Sequence, residues 1–169
     1  DIEIAKNMVK KAKEIGCDCV KFQSWTPTSI NSKTFYEENP IANRIFKKFS
    51  LSEEELLEVV DYCKEVGISF ASTPYSREEV DFLVHKCKVP YIKVASMDLN
   101  NYLFLDYIAR KGIPIVLSTG MGDMDEIRKA VKTIEDAGNK DICILHCISI
   151  YPPEVSTMSL KNITGTQQT

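Results

Sequence analysis

The fold is decided by the stretch from residue 91 to residue 101, which reads Tyr91-Ile92-Lys93-Val94-Ala95-Ser96-Met97-Asp98-Leu99-Asn100-Asn101. Its first half is a short apolar run, typical of a strand buried on both faces of a parallel sheet. Lys93 lies inside that run, where an ammonium group needs an anion or a hydrogen-bond partner to offset its desolvation. Either the Lys93 side chain extends from the strand end to water, or its ammonium group belongs to a functional site. The same pattern recurs at Lys21, which favours the site.

Strands and helices alternate along most of the chain. Apolar runs predict five strands, at residues 17–22, 68–73, 91–95, 113–117 and 142–146. Periodic apolar stripes and capping signals predict helices at residues 2–15, 52–66, 76–87, 102–111 and 124–137, and a long loose connection at residues 24–49. The first helix is predicted to bury the apolar face formed by Ile4, Met8, Ala12 and Ile15. Strands spaced by about 20 to 30 residues, with helices between them, indicate a parallel sheet in an α/β fold.

Polar residues gather at the C-terminal end of every predicted strand. They are Lys21 and Gln23, Ser72 and Thr73, Ser96 and Asp98, Ser118 and Thr119, and Ser149 and Tyr151. In a (β/α)8 barrel such strand ends converge on one mouth, where the chemistry takes place, whereas no GxGxxG or GxxxxGK[ST] nucleotide motif occurs. Because a full barrel takes about 250 residues, we predict one partial TIM-barrel catalytic domain over residues 1–169, with about five to six of the eight βα repeats.

Composition narrows the functional classes. The 169 residues are 44% hydrophobic and 27% charged, and the formal net charge of −3 supplies no basic stripe for nucleic acid. No apolar run has the length of a membrane span and no signal peptide opens the sequence, so we expect a cytoplasmic protein. Its six cysteines, which lack the spacing of a zinc site, are predicted to be buried free thiols: Cys17, Cys19, Cys63, Cys87, Cys143 and Cys147.

Two lysines surrounded by hydroxyl groups form a plausible site for phosphate or carboxylate. The same lysines are also candidate Schiff-base nucleophiles, as in a class I aldolase. Asp98 is either a general base, a partner of a sugar hydroxyl, or the N-cap of the helix that begins near Tyr102. His146 shares the strand parity of its apolar neighbours, which favours a structural histidine over a metal ligand.

Five ordered motifs carry a family resemblance. They are Lys21-Phe22-Gln23, Ser72-Thr73-Pro74-Tyr75, Lys93 to Asn101, Ser118-Thr119-Gly120-Met121 and His146-Cys147-Ile148-Ser149-Ile150-Tyr151-Pro152. In order and spacing the chain resembles the N-acetylneuraminate (sialic acid) synthase family, NeuB-like, through nearly its whole length. The resemblance implies an aldol-type condensing transferase on a TIM barrel. Such an enzyme joins phosphoenolpyruvate to an N-acetylated hexosamine such as N-acetylmannosamine, giving a nine-carbon 2-keto acid and phosphate.

The resemblance also assigns roles by position. Phosphoenolpyruvate is expected to be held by Lys21, Lys93, Ser96 and Ser118. Gln23 and Tyr151 match sugar contacts, and Thr73 lines the same mouth. Ser149 and Asp98 stand where some members have Asn and Glu, which bears on the choice of sugar. We count Lys93 and Asp98 as the catalytic pair, and the other seven as substrate-binding residues.

The family's metal ligands are not among these residues. The resemblance implies a divalent cation, Mn²⁺ or Mg²⁺, bound by histidines of two later strands, and a C-terminal antifreeze-like (SAF) domain. Neither the two strands nor that domain is expected in this chain. The resemblance also implies that the parent protein is a homodimer. We therefore expect the parent protein to be the synthase and this chain alone to be inactive. Two other interpretations stay open at this point, a Schiff-base aldolase or lyase that uses Lys93 or Lys21, and a non-catalytic truncated barrel that binds a partner.

Overall fold

The computed structural model describes residues 1–166, which form two compact units, one from Asp1 to Pro90 and one from Tyr91 onward. Residues 167–169 of the predicted domain lie outside the described residues. Each unit alternates helices with parallel strands, as the sequence predicts. Within residues 1–166, no helix combines the length and the apolar character that crossing a membrane requires.

The first unit contains five α-helices and two strands. In chain order these are α1 (Ile2–Glu14), β1 (Cys19–Ser24), α2 (Lys33–Glu38), α3 (Pro40–Phe49), α4 (Glu53–Val66), β2 (Ser69–Pro74) and α5 (Arg77–Phe82), which a π-helical turn (Leu83–Cys87) continues. β1 pairs in parallel with β2, so that Lys21 stands beside Ala71 and Gln23 beside Thr73. Helix α4 begins with the predicted capping box between Ser52 and Glu55.

Two expectations for the first unit are wrong. The connection at residues 24–49 contains the helices α2 and α3 rather than loose chain, with Pro40 in the first turn of α3, where its missing N–H costs nothing. On α1 the predicted apolar face of Ile4, Met8, Ala12 and Ile15 is not the buried one, because Ala5 and Val9 face the core. Ile4 and Met8 instead line an open apolar groove.

The second unit places three strands side by side. Its elements are β3 (Ile92–Val94), a 3₁₀ turn (Ser96–Asp98), α6 (Tyr102–Ala109), β4 (Ile115–Ser118), α7 (Met124–Asp136), β5 (Ile142–Leu145), a 3₁₀ turn (Val155–Thr157) and α8 (Asn162–Thr166). β4 pairs in parallel with β3 on one side and with β5 on the other. Fully buried aliphatic side chains from β3, β4, α6 and α7 form its core: Ile92, Val94, Leu105, Ile108, Ile115, Leu117 and Ile134.

The cysteines are free, as predicted, but only some are buried. Burial raises the pKa of Cys63 to about 11 and that of Cys87 to about 12. Cys17 and Cys143 are exposed, and Cys19 and Cys147 are partly exposed, so the expectation of burial is wrong for them. The apolar neighbours of Cys143 on β5 predict a strand but do not show which of its two faces is buried. The face that carries Cys143 is exposed to solvent.

Candidate functional site

Lys93 does not snorkel to water. Its Nζ donates to the carbonyl of Val94 at 2.6 Å and to the Oγ of Ser118, at the end of the neighbouring strand β4. Lys93 is partly buried, and Ser118 is 8% exposed. The ammonium is thus folded back into the polar end of the β3–β4 pair, where hydrogen bonds offset its desolvation.

The turn after β4 connects the ends of all three strands of this unit. The N–H of Gly120 donates to Ser96 Oγ at 3.1 Å, and the carbonyl of Gly120 accepts from Ser149 Oγ. A Cβ at position 120 would lie 2.9 Å from Ser149 Oγ, closer than real Cβ contacts, and 3.1 Å from the Cβ of Cys147, tighter than most of them. Glycine is therefore favoured at position 120, where the backbone closely approaches the residues after β5.

The hydrogen bonds set the polarity of two hydroxyl groups. Ser96 Oγ accepts from a backbone N–H, and Ser118 Oγ accepts from an ammonium group, which can only donate. Each hydroxyl consequently keeps its own hydrogen to donate. Together with Lys93 they form a cluster of donors suited to an anion. Thr119 differs, because its buried hydroxyl donates to the carbonyl of Leu145 and supports β5.

Asp98 is the last residue of the 3₁₀ turn that begins at Ser96. Its Oδ1 accepts from Asn101 Nδ2 at 3.2 Å, while its buried Oδ2 has no hydrogen-bond partner within residues 1–166. Desolvation raises the pKa of the Asp98 carboxyl, and the bond from Asn101 opposes that rise. The alternative that Asp98 caps α6 is wrong, because Asn101 holds the N-cap position.

The perturbed pKa of Asp98 predicts a pH-dependent stability. The native carboxyl holds its proton above the ordinary pKa of 3.8, so that the unfolded state ionises first as pH rises. The free energy of unfolding therefore falls between pH 3.8 and the pKa of the folded state. Asp98→Asn removes this fall, because an amide does not ionise. We expect the variant to gain stability over the wild type in that window and to keep the gain above it, as measured by urea unfolding at a series of pH values. Asp125→Asn, at a 91% exposed side chain, is the control; identical pH trends for Asp98→Asn and the wild type would contradict the prediction.

The strand ends of the first unit carry the remaining predicted residues. Gln23 Nε2 donates to the hydroxyl of Tyr75 at 2.7 Å. Thr73 is 2% exposed, and its register partner Gln23 is exposed. Lys21 is exposed as a whole residue, yet desolvation lowers its ammonium pKa. The exposure limits that effect, since water still screens the charge.

Sequence reasoning missed Glu79, a buried carboxylate in the first turn of α5. It accepts from the backbone N–H groups of Thr26 at 3.0 Å, Tyr75 at 2.6 Å and Ser76 at 3.0 Å, and from Ser29 Oγ. Glu79 thereby connects the loop after β1 to the turn after β2. The spacing Ser76-x-x-Glu79 is a capping-box signal that was available in the sequence.

The residues after β5 have separate roles. His146 is partly buried and bonds through Nε2 to the carbonyl of Met158 at 2.8 Å, which agrees with the structural interpretation. Ser149 supports the turn at Gly120, and the side chain of Tyr151 is exposed, at 92%. Across residues 1–166, no group of three or more His, Cys, Asp or Glu side chains is arranged to hold a metal ion.

The structure places four predicted residues at the strand ends of the second unit. Lys93 is hydrogen-bonded to Ser118, and Ser96 and Ser149 are both bonded to the backbone of Gly120, in the turn that follows Ser118. Cys147, which sequence reasoning did not assign to the site, is bonded to Ser118.

The five sequence motifs and the polar strand ends are consistent with the family that a comparison with known protein families identifies. A model described as the NeuB family matches residues 8–169. The chain belongs to the NeuB family. The resemblance seen in the sequence is thereby confirmed, and the relatives of this NeuB-family chain include enzymes named as synthases.

Two relatives show the range of similarity. The NeuB-family chain is 45% identical to an uncharacterized protein of Methanocaldococcus jannaschii, over 96% of the chain and 47% of that protein. It is 33% identical to N-acetylneuraminate-9-phosphate synthase of Homo sapiens, over 99% of the chain and 48% of that enzyme. The chain thus spans about half the length of the relatives it matches.

Solved structures confirm the predicted fold class. N-acetylneuraminic acid (sialic acid) synthetase from Leptospira borgpetersenii, in complex with citrate, is 25% identical with a TM-score of 0.89, over 99% of the NeuB-family chain and 56% of the solved chain. A truncated 3-deoxy-D-arabino-heptulosonate 7-phosphate synthase from Thermotoga maritima has a TM-score of 0.72 at 12% identity, over 99% of this chain and 55% of that one. The second likeness concerns the TIM-barrel-like fold alone.

Proposed function

We propose that the intact protein carrying this chain condenses phosphoenolpyruvate with an N-acetylated hexosamine, giving a nine-carbon 2-keto acid and phosphate. The observation that carries the proposal is the donor cluster of Lys93, Ser96 and Ser118, in which both hydroxyl groups accept from protein donors and keep their hydrogens for an anion. A ligand that carries a carboxylate and a phosphate suits such donors. Membership of the NeuB family supports the choice of reaction.

The proposed roles of the residues follow from their chemistry. Lys93, Ser96, Ser118 and Lys21 bind and orient the phosphoenolpyruvate anion, so that its C3 forms a bond to the aldehyde carbon of the open-chain sugar. Water supplies the new oxygen at C2 and phosphate leaves. Asp98 is assigned the exchange of a proton or a bond to a sugar hydroxyl, a role that its raised pKa supports. Sugar binding is assigned to the remaining predicted residues: Gln23, Thr73, Ser149 and Tyr151.

Residues 1–166 provide no cluster that fits a metal site. We propose that the divalent cation implied by the family, Mn²⁺ or Mg²⁺, is bound by histidines of the intact protein outside this chain. When bound, it would supply Lewis-acid chemistry at the sugar. We also propose a homodimeric parent in the cytoplasm, where a reducing environment would keep the six thiols free.

Phosphate release tests the proposal. The intact protein and the 169-residue chain are each incubated with phosphoenolpyruvate, Mn²⁺ and either N-acetylmannosamine or its 6-phosphate. We expect sugar-dependent phosphate release by the intact protein and none by the chain. Release by the chain alone would refute the expectation that it is inactive, and an intact protein that releases no phosphate with either sugar or with a bacterial dideoxy analogue would overturn the function.

One observation favours a second candidate, a Schiff-base aldolase. The lowered pKa of Lys21 is the property that a nucleophilic amine needs, although Lys21 is exposed. Borohydride treatment in the presence of pyruvate or the sugar separates the two mechanisms, since only a Schiff base is trapped as a stable lysine adduct. We expect no adduct at Lys21 or Lys93, and an adduct at either would favour the aldolase. Phosphoenolpyruvate binding without turnover or adduct would favour the non-catalytic binding module.

A further inference from the structure

Cys147 is a thiol that the proposed function does not use. It follows β5, is partly exposed, and its Sγ donates to Ser118 Oγ at 3.4 Å, a hydrogen-bond distance for sulfur. The same hydroxyl oxygen accepts from the ammonium of Lys93. Lys93 thus reaches Ser118 from β3, and Cys147 reaches it from the chain after β5, the strand that pairs with the opposite edge of β4.

The hydrogen-bond capacity of Ser118 gives this contact a role. A serine hydroxyl has two acceptor lone pairs and one hydrogen to donate. Lys93 can only donate, so it occupies one lone pair, and the thiol hydrogen of Cys147 occupies the other. With both lone pairs occupied, the hydroxyl hydrogen of Ser118 is directed away from its two protein partners.

We propose that Cys147 is a positioning residue, which fixes Ser118 as a hydrogen-bond donor to the bound anion. This inference rests on the proposed function, because the anion is phosphoenolpyruvate. Without the thiol hydrogen, one lone pair of Ser118 is unoccupied and the hydroxyl rotates among several orientations, only one of which donates to the ligand. The effect falls on the binding of the anion and leaves the sugar contacts unchanged.

The test compares two substitutions at position 147 in the intact protein. Cys147→Val keeps the apolar bulk beside Gly120 but removes the donor, and Cys147→Ser keeps a donor. We expect Cys147→Val to raise the KM for phosphoenolpyruvate about fivefold, the effect of one misdirected hydrogen bond, while kcat and the KM for the sugar change less than about twofold. Cys147→Ser should restore the KM for phosphoenolpyruvate to within about twofold of the wild type. Cys143→Val, at an exposed thiol of β5, is the matched control.

Several outcomes overturn the inference. The inference fails if Cys147→Val leaves the KM for phosphoenolpyruvate unchanged, or if the Val and Ser variants have equal effects. It also fails if the KM values of both substrates rise equally, since that result indicates a general disturbance of the fold. A wild-type protein that binds phosphoenolpyruvate without turning it over refutes the proposed function separately; the same Val-to-Ser contrast is then read from calorimetric affinities. A wild-type protein that does not bind phosphoenolpyruvate overturns both.

Discussion

Replacing Lys93 with methionine is expected to lower kcat/KM for phosphoenolpyruvate about a hundredfold or more in the intact protein. Methionine keeps much of the apolar length of lysine but removes the charge and the bonds from Nζ to Ser118 Oγ and the carbonyl of Val94. A bound anion would lose a charged donor, and Ser118 would lose the partner that fixes its polarity. Steady-state kinetics with phosphoenolpyruvate varied at saturating sugar measure the effect.

Lys140→Met is the control for the Lys93 substitution, because Lys140 is an exposed lysine of the same unit. It should leave kcat/KM unchanged. Thermal unfolding of both variants separates loss of binding from loss of the fold. A well-folded Lys93→Met protein with wild-type kcat/KM for phosphoenolpyruvate would refute the assignment of Lys93 to the anion site.

Replacing Glu79 with glutamine is expected to lower the free energy of unfolding of the first unit by about 2 to 4 kcal/mol, the range for a broken buried hydrogen-bond network. The carboxylate accepts four hydrogen bonds, from the N–H groups of Thr26, Tyr75 and Ser76 and from Ser29 Oγ. The amide nitrogen of glutamine cannot accept, so buried N–H groups lose their acceptor. Urea unfolding followed by tryptophan fluorescence measures the change.

The fluorescence signal is local to this network. The chain has one tryptophan, Trp25, which adjoins Thr26 and packs against Phe46 and Tyr75 with ring centroids 6.0 and 6.4 Å away. Glu78→Gln, at an exposed carboxylate in the same helical turn, should change stability by less than about 0.5 kcal/mol. Equal stabilities of the Glu78 and Glu79 variants would show that the network does not support the fold.

Much of the fold could be read from local patterns. The helix α4, which Ser52 caps and which ends before the left-handed Gly67, has the predicted capping box, because both signals depend on neighbouring residues only. The strand boundaries at β2 and β5 shift by only one residue. The grouping of Lys93 with Ser118 was also predictable, since the parallel register brings the ends of β3 and β4 together whatever their exact length.

Other features depend on packing that the pattern does not encode. The helix α1 carries two adjacent apolar stripes, and the structure buries the smaller one, Ala5 and Val9, rather than the larger one with Ile4 and Met8. The helices α2 and α3 form in a segment whose polar composition indicates a loop, because aromatic contacts between Tyr36, Phe46 and Trp25 hold it against the strand ends. Neither outcome follows from periodicity alone.

The sequence by itself determined the α/β alternation, the parallel strands and the presence of Lys93, Ser96 and Ser118 at their ends, because strand period, capping and motif order are local properties. Only the tertiary structure decided which way the hydroxyl groups point, how Cys147 joins them, and that Glu79 rather than a strand-end residue connects the loops of the first unit. These are hydrogen bonds between residues far apart in sequence, and their partners are chosen by distances of a few ångströms that exist only once the strands have paired.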